Sequence, residues 1–447
     1  FLRDGRRIPF DEAVHSGLSI GVPGLVRLLE EVHRRHGKLP WARLFEPAIA
    51  LAENGFPVSP RLNLLLTWMG AENFDPAARR LYFSENGSAW PVGYRLKNPE
   101  FAGTLRRIAE EGAEAFYSGE IAEKIVAAAA NAPNHPGDIT LADLAAYRSV
   151  ERPPVCVIYR RHRVCGMGPP SSGGIAVAQT LKLLEPFDLG RGPEAALNPR
   201  AMHLIAEAEK LAFADRDYYI GDPDFVQVPL TLLDSDYLAA RSRLINPNAA
   251  MPRPAPGTPP GVQRQAFGVD ATLESVGTSH ISVVDAAGNA VSMTTTIESA
   301  FGSRVLAAGF LLNNELTDFS FLPEDAEGRP VANAVAPGKR PRSSMAPTIV
   351  FDEAGRVKAV LGSPGGSRII LYVVKALIAL IDWELDAQAA AALVNFGSRG
   401  GAFEIEYDPA TDWRALIRPW LSTPSLWQAM RVKPFGHEIA PDLLTSG

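Results

Sequence analysis

The chain has 447 residues, of which 46% are hydrophobic and 21% charged, with a formal net charge of -6. That composition buries a large core in one large domain or two medium ones and excludes a disordered chain. The mild negative balance attracts no polyphosphate, which argues against a nucleic-acid partner.

In chain order, the first half reads as helical. Leu25, Val26, Leu28, Leu29 and Val32 recur at helical spacing within 23–36, where Pro23 suits the first turn and Gly37-Lys38-Leu39-Pro40 is a stop. Segment 47–54 also opens with proline and ends at Gly55. Segments 105–112 and 121–130 continue the pattern, Thr140 caps a further helix, and 201–219 forms a long one. Cys156 and Cys165 lie in two apolar runs around a basic turn. A hairpin would bring them together, so a disulfide is one reading. Two small buried hydrophobes is the simpler one, and zinc-site spacing is absent.

Residues 250–267 are rich in Pro and Gly and can hold neither a helix nor a central strand, so they read as a mobile, exposed connector. Beyond it the character changes. His280-Ile281-Ser282-Val283-Val284 and Ala290-Val291-Ser292-Met293-Thr294-Thr295-Thr296 alternate as strands around the turn 285–289. A second hairpin joins 347–351 to 357–361. The longest apolar run, 369–383, is interrupted by Lys375 and Asp382 and reads as a buried helix. No run approaches the roughly 18 apolar residues of a membrane span. Helices, then hairpins, then helices predict an α+β fold with helices stacked on antiparallel sheets.

Pairing Val284 with Ala290 sets Thr278 opposite Thr296, close enough for their hydroxyls to bond. A threonine that opens a strand after a glycine suits one chemistry. Its hydroxyl can attack the carbonyl of Gly277, and cleavage frees an α-amine that serves as base for that hydroxyl. On pattern alone such a dipeptide is common and reads as ordinary strand. Three neighbouring patterns add weight. Gly365 and Gly366, in Gly-Ser-Pro-Gly-Gly-Ser-Arg before a helix, let backbone N–H groups converge on an oxyanion. Ser343 and Ser344, in a loop between Pro341 and Pro347, present hydroxyls to a carboxylate. Glu298, Glu315 and Asp318 can surround an ammonium group. Each has a plain alternative, respectively a tight turn, an ordinary loop and a solvated acidic loop. Together they describe a site for a zwitterionic amino acid whose γ-carbonyl meets the threonine.

These stretches resemble the gamma-glutamyltransferase family. The likeness extends to Pro169-Pro170-Ser171-Ser172-Gly173-Gly174, Ala206-Glu207-Ala208-Glu209-Lys210 and Gly221-Asp222-Pro223-Asp224-Phe225, in consistent order over about residues 20–370. The resemblance implies the four-layer αββα sandwich of N-terminal-nucleophile hydrolases. It also implies a precursor that cuts itself at Gly277-Thr278 into a large subunit, 1–277, and a small one, 278–447, which stay associated. The implied activity moves a γ-glutamyl group from glutathione-like donors to water or an amino acid, with no cofactor and no metal. By position, Thr278 is the implied nucleophile and Thr296 its hydroxyl partner. Gly365 and Gly366 are the implied oxyanion hole, Ser343 and Ser344 bind the donor carboxylate, and Glu315 and Asp318 bind its ammonium.

Three departures stand out. Glu298 replaces the family's usual Asn beside the ammonium, the lid segment 321–336 is shortened, and the family's carboxylate-pairing arginine is expected upstream of Phe1. The chain is therefore read as a fragment lacking N- and C-terminal segments. Its compartment stays open between periplasm or extracellular space, which the resemblance favours, and cytoplasm. The alternatives are a cephalosporin- or glutaryl-acylase-like member of the same fold and a catalytically silent binding protein. A nucleotide site is disfavoured because no P-loop lysine follows the glycines.

Overall fold

The computed structural model describes residues 1–262, 267–270, 277–406 and 433–435. They form two compact units interleaved along the chain. The first comprises Phe1–Glu151, Ser275–Gly277 and Thr295–Phe321, and the second Arg152–Glu274, Thr278–Thr294 and Leu322–Gly447.

The first unit is helical, with α1 Leu25–His36, α2 Glu46–Asn54, α3 Pro60–Met69, α4 Pro99–Glu111, α5 Gly119–Ala130 and α6 Leu141–Ala146. Local chemistry sets the ends. Asn98 accepts the Phe101 N–H to open α4, Thr140 and Asp143 form a capping box on α6, and Gly55 and Gly112 take positive φ to close α2 and α4. The sequence placed Pro23 in the first turn of α1, but the helix starts at Leu25. The Pro23 carbonyl instead accepts the Tyr117 hydroxyl at 2.7 Å. Ile108, Tyr117, Ile121 and Ile125 of this unit pack with Val305 and Leu312 in one apolar cluster.

The second unit is helices on an antiparallel sheet. Strands β1 Val155–Tyr159 and β2 His162–Gly166 make one hairpin, and β5 Thr348–Phe351 and β6 Val357–Leu361 another. They join in the order β6-β5-β2-β1 through Thr348↔Gly166 and Val350↔Val164. Helices α7 Gly173–Leu184, α8 Pro199–Tyr219, α9 Ser235–Ser242 and α10 Arg368–Ile381 complete the unit. Helix α7 lies on β1 and β2 and touches α8, α9 and α10. Val164, Ile175, Leu181, Leu204, Val350, Ile370 and Val374 share the resulting core, whose apolar burial is the main stabilising term. Strands β3 Ser279–Val284 and β4 Ala290–Thr295 pair as a separate hairpin.

The glycines that open α7 are set by close approach. A Cβ on Gly174 would lie 2.2 Å from the Met167 carbonyl oxygen, and one on Gly173 would lie 2.4 Å from that of Met345. Both obstacles are backbone and cannot rotate away. Gly174→Ala should therefore lose about 1–3 kcal/mol of stability or more, read as a lower urea midpoint at unchanged slope.

Two expectations change. Cys156 and Cys165 are not small buried hydrophobes but a disulfide. They are directly opposite across β1 and β2, with Cys156 on the exposed face by strand alternation. The proline-rich stretch holds no helix or strand over 251–262, yet it is fastened rather than loose. Glu207 accepts the Met251 N–H at 2.6 Å, Asp215 accepts the Gly257 N–H at 2.8 Å, and Arg241 donates to the Ala255 carbonyl. Prolines remove backbone donors, so side chains of α8 and α9 satisfy what remains. Residues 263–266 of that connector lie outside the described residues.

Candidate active site

In the second unit, three of the predicted pieces gather at one end of the sheet. The pair Thr348↔Leu361 closes β5 against β6. The loop carrying Ser343 and Ser344 enters β5 there, and the loop carrying Gly365 and Gly366 leaves β6 there. The Ser292 hydroxyl of β4 joins both, donating to the Leu361 carbonyl at 2.9 Å and accepting the Thr348 N–H at 3.0 Å. The start of β3 reaches the same end, because the His280 ring packs on Gly362, where an added Cβ would lie 2.2 Å from Nδ1.

The predicted hairpin register holds. Asp285 N–H bonds the Asn289 carbonyl at 3.0 Å, and His280 Nδ1 lies 2.8 Å from Thr294 Oγ1, both in the register that pairs Val284 with Ala290. Burial lowers the His280 pKa, and its ring is occupied by Thr294 and Ser282, so it is a packed strand histidine. Thr278, just before β3, has φ +91°. A β-branched residue is strained there, at a cost of about 1–3 kcal/mol.

Gly365 at φ +137° and Gly366 at φ +58° make the turn that only glycine tolerates comfortably. Their carbonyls accept the Arg368 and Ile369 N–H groups as α10 begins. The serine loop is held from below by the motif at 169–172. Ser343 N–H donates to the Pro170 carbonyl at 3.2 Å, the Ser172 N–H and hydroxyl both donate to the Ser343 carbonyl, and the Ser171 hydroxyl donates to the Met345 carbonyl.

The remaining predicted residues lie in the first unit. Gly277 runs against the Glu298 carbonyl, which leaves no room for a Cβ. Thr296 Oγ1 accepts the Glu298 N–H at 2.8 Å, and Glu298 has positive φ. The Glu298 carboxylate is buried and accepts from the Ser299 hydroxyl at 2.9 Å and Asn314 Nδ2 at 2.7 Å. Glu315 and Asp318 lie on a short 3-10 turn, and the Glu315 N–H bonds Asn313 Oδ1. Burial, and then the charge of Glu298, push the Glu315 carboxyl up to about 8.

A family model described as gamma-glutamyltranspeptidase matches residues 2–417. The chain belongs to the gamma-glutamyltranspeptidase family. It is 39% identical over 404 residues to a glutathione hydrolase proenzyme of Escherichia coli (strain K12), covering 89% of this chain and 67% of that one. It is 37% identical over 402 residues to an acylase proenzyme of Pseudomonas sp. (strain V22), covering 88% of this chain and 67% of that one. Among solved structures it resembles cephalosporin acylase from Bacillus halodurans at a TM-score of 0.80 and 25% identity, over 97% of this chain and 74% of that one. The chain spans about two thirds of the length of the curated relatives it matches.

The chain thus has the N-terminal-nucleophile hydrolase fold of the gamma-glutamyltranspeptidases and acylases. No helix among the described residues is long and apolar enough to cross a membrane. Reading the sequence for site residues missed Asn314, which clasps Glu298, and Arg216, which reaches the serine loop from α8. An arginine beside Ala212 and Phe213 on a long helix was the available signal for the second.

Proposed function

We propose that the protein is a self-processing threonine amidohydrolase and transferase acting on γ-glutamyl amides such as glutathione. The observation that carries this reading is the strained backbone of Thr278 directly after Gly277, at the sheet end where the serine and glycine loops also arrive. In the proposed maturation, Thr278 Oγ adds to the Gly277 carbonyl, the peptide bond shifts to an ester, and water releases 1–277 from 278–447. The freed α-amine then takes the Thr278 hydroxyl proton as Oγ attacks the γ-carbonyl. Thr296 is assigned to orient that hydroxyl, and the Gly365-Gly366 turn to stabilise the oxyanion. The amine returns its proton to the leaving amine, and water or an amino acid takes the acyl group from the ester. Ser343 and Ser344 are assigned to the donor carboxylate, and Glu298, Glu315 and Asp318 to its ammonium. The Cys156–Cys165 disulfide supports an oxidising compartment, periplasmic or extracellular.

The likeness to cephalosporin acylase favours a second reading in which the acyl group is glutaryl. The two differ by one ammonium group, and the three acids assigned to that group disfavour a donor without it. Processed full-length protein should hydrolyse γ-glutamyl p-nitroanilide at least about tenfold faster, in kcat/KM, than glutaryl p-nitroanilide, the worth of one charged contact. Equal or faster glutaryl turnover would move the assignment to the acylases.

A further inference from the structure

Arg216 stands in the last turn of α8 and is 2% exposed. Among the partners of its guanidinium are two serine hydroxyls and a carboxylate. Nε donates to Ser172 Oγ at 2.8 Å, Nη1 to Asp217 Oδ1 at 2.7 Å, and Nη2 to Ser344 Oγ at 2.5 Å. A second buried guanidinium, Arg342, lies alongside, 3.1 Å from Asp270 and 3.7 Å from Asp217. Among the described residues, the carboxylates of Asp217 and Asp270 thus stand beside the two guanidinium groups.

The direction of these bonds matters more than their number. Guanidinium has donors and no acceptor, so Ser344 Oγ and Ser172 Oγ must each be the acceptor toward Arg216. Each serine proton is therefore turned away from Arg216. For Ser172 its destination is visible, since that hydroxyl donates to the Ser343 carbonyl at 2.7 Å. For Ser344 the same logic puts the hydroxyl proton on the side away from Arg216, and the cation behind it strengthens that hydroxyl as a donor. A carboxylate requires donors, and a hydroxyl fixed the other way would repel it. One guanidinium thus sets the polarity of Ser344 directly and holds Ser343 in place through Ser172.

We infer that Arg216 is a positioning residue for recognition of the donor α-carboxylate, acting through Ser344 and, by way of Ser172, through Ser343. The inference rests on the assignment of Ser343 and Ser344 to that carboxylate. It assigns Arg216 on α8 and Ser172 in the loop before α7 to positioning the two serines.

The test uses processed full-length protein and two donors, γ-glutamyl p-nitroanilide and 4-aminobutyryl p-nitroanilide, which lacks only the α-carboxylate. Arg216→Lys keeps the charge but cannot span both hydroxyls. It should raise KM for the γ-glutamyl donor about tenfold, the worth of one hydrogen bond to a charged group, and leave KM for the 4-aminobutyryl donor within about twofold. Ser172→Ala, the milder change, should move KM in the same selective way by a few fold. Combining Arg216→Lys with Ser344→Ala should add little to Ser344→Ala alone, because the two act on one contact.

A merely structural Arg216 would weaken both donors equally, and that result would overturn the inference. The outcome for Ser344→Ala alone separates the two levels. If it abolishes the preference for the carboxylate-bearing donor while Arg216→Lys and Ser172→Ala leave that preference intact, the inference fails and the site assignment stands. If Ser344→Ala leaves the preference intact, the site assignment fails and takes the inference with it. Should Arg216→Lys not yield folded protein, Ser172→Ala with both donors decides the same question.

Discussion

A Thr278→Ala chain should accumulate as one uncut polypeptide, while the parent, expressed full length, separates into two fragments meeting at Gly277-Thr278. Intact-mass measurement reads both outcomes directly. Alanine retains the backbone and removes the hydroxyl, so cleavage and turnover should fail together, with hydrolysis of γ-glutamyl p-nitroanilide falling on the order of 10⁴-fold or more. Thr278→Ser separates nucleophile from strain. Serine keeps the hydroxyl but has no β-branch, so it tolerates the φ of +91° more easily. Thr278→Ser should still cut, more slowly, since less of the barrier is met by relief of backbone strain, a term of about 1–3 kcal/mol. A parent chain that remains whole and well folded would deprive the mechanism of its free amine. It would leave a binding protein with the same pocket as the better account.

The parts of this structure legible in the sequence are those fixed by local rules. The Asp285–Asn289 turn has one comfortable geometry, with Asp285 accepting the Ala287 and Asn289 N–H groups, and it sets the register along the whole hairpin. The helix around 201–219, the N-cap at Thr140 and the hairpin around 352–355 follow from periodicity and caps in the same way. What escaped notice depends on distant partners. Nothing near Met251 or Gly257 announces that Glu207 and Asp215, more than forty residues earlier, will bind their N–H groups. Cys156 and Cys165 gave the hairpin, but which face of it they would occupy was decided by burial of Tyr159 and Val164. Arg216 looked like one more charge on a helix, and only the fold carries Ser172 and Ser344 to it. Ordered motifs marked the candidate loops because each is a short stretch with its own proline or glycine signals. The props beneath those loops come from elsewhere in the chain.

Binding of an ammonium-bearing donor should strengthen steeply as pH rises from about 6 to about 8, and the reason lies in the acids of the first unit. Glu315, held up at about 8 by burial and by Glu298, keeps a proton at neutral pH. An ammonium group beside the pair favours ionised carboxylates, so binding expels that proton. Linkage then requires affinity to rise by up to about tenfold per pH unit while the proton is present, and to level off above about 8. A pH series of the inhibition constant for a glutamine-like amino acid would show this slope. Glu315→Gln removes the titrating group and should flatten the slope. Glu298→Asn removes the charge that helps raise Glu315 and should shift the rise to lower pH.

Stability follows the opposite sense. The folded pKa of Glu315 exceeds its ordinary value of 4.5, so the unfolded chain ionises first and the fold loses stability as pH climbs from about 4.5 to about 8. Relative to the parent, Glu315→Gln should therefore gain stability across that window while losing affinity for the cation. A parent whose affinity is flat between pH 6 and 8 would show that the proton is not held there. Equal slopes in parent and Glu315→Gln would place the titrating group elsewhere. A carboxyl that destabilises the fold and proves to be relieved by an ammonium-bearing ligand would be better explained by recognition than by packing, and Glu298, with Asn314 and Ser299 clasping its carboxylate, would then make that recognition more demanding of a positive charge.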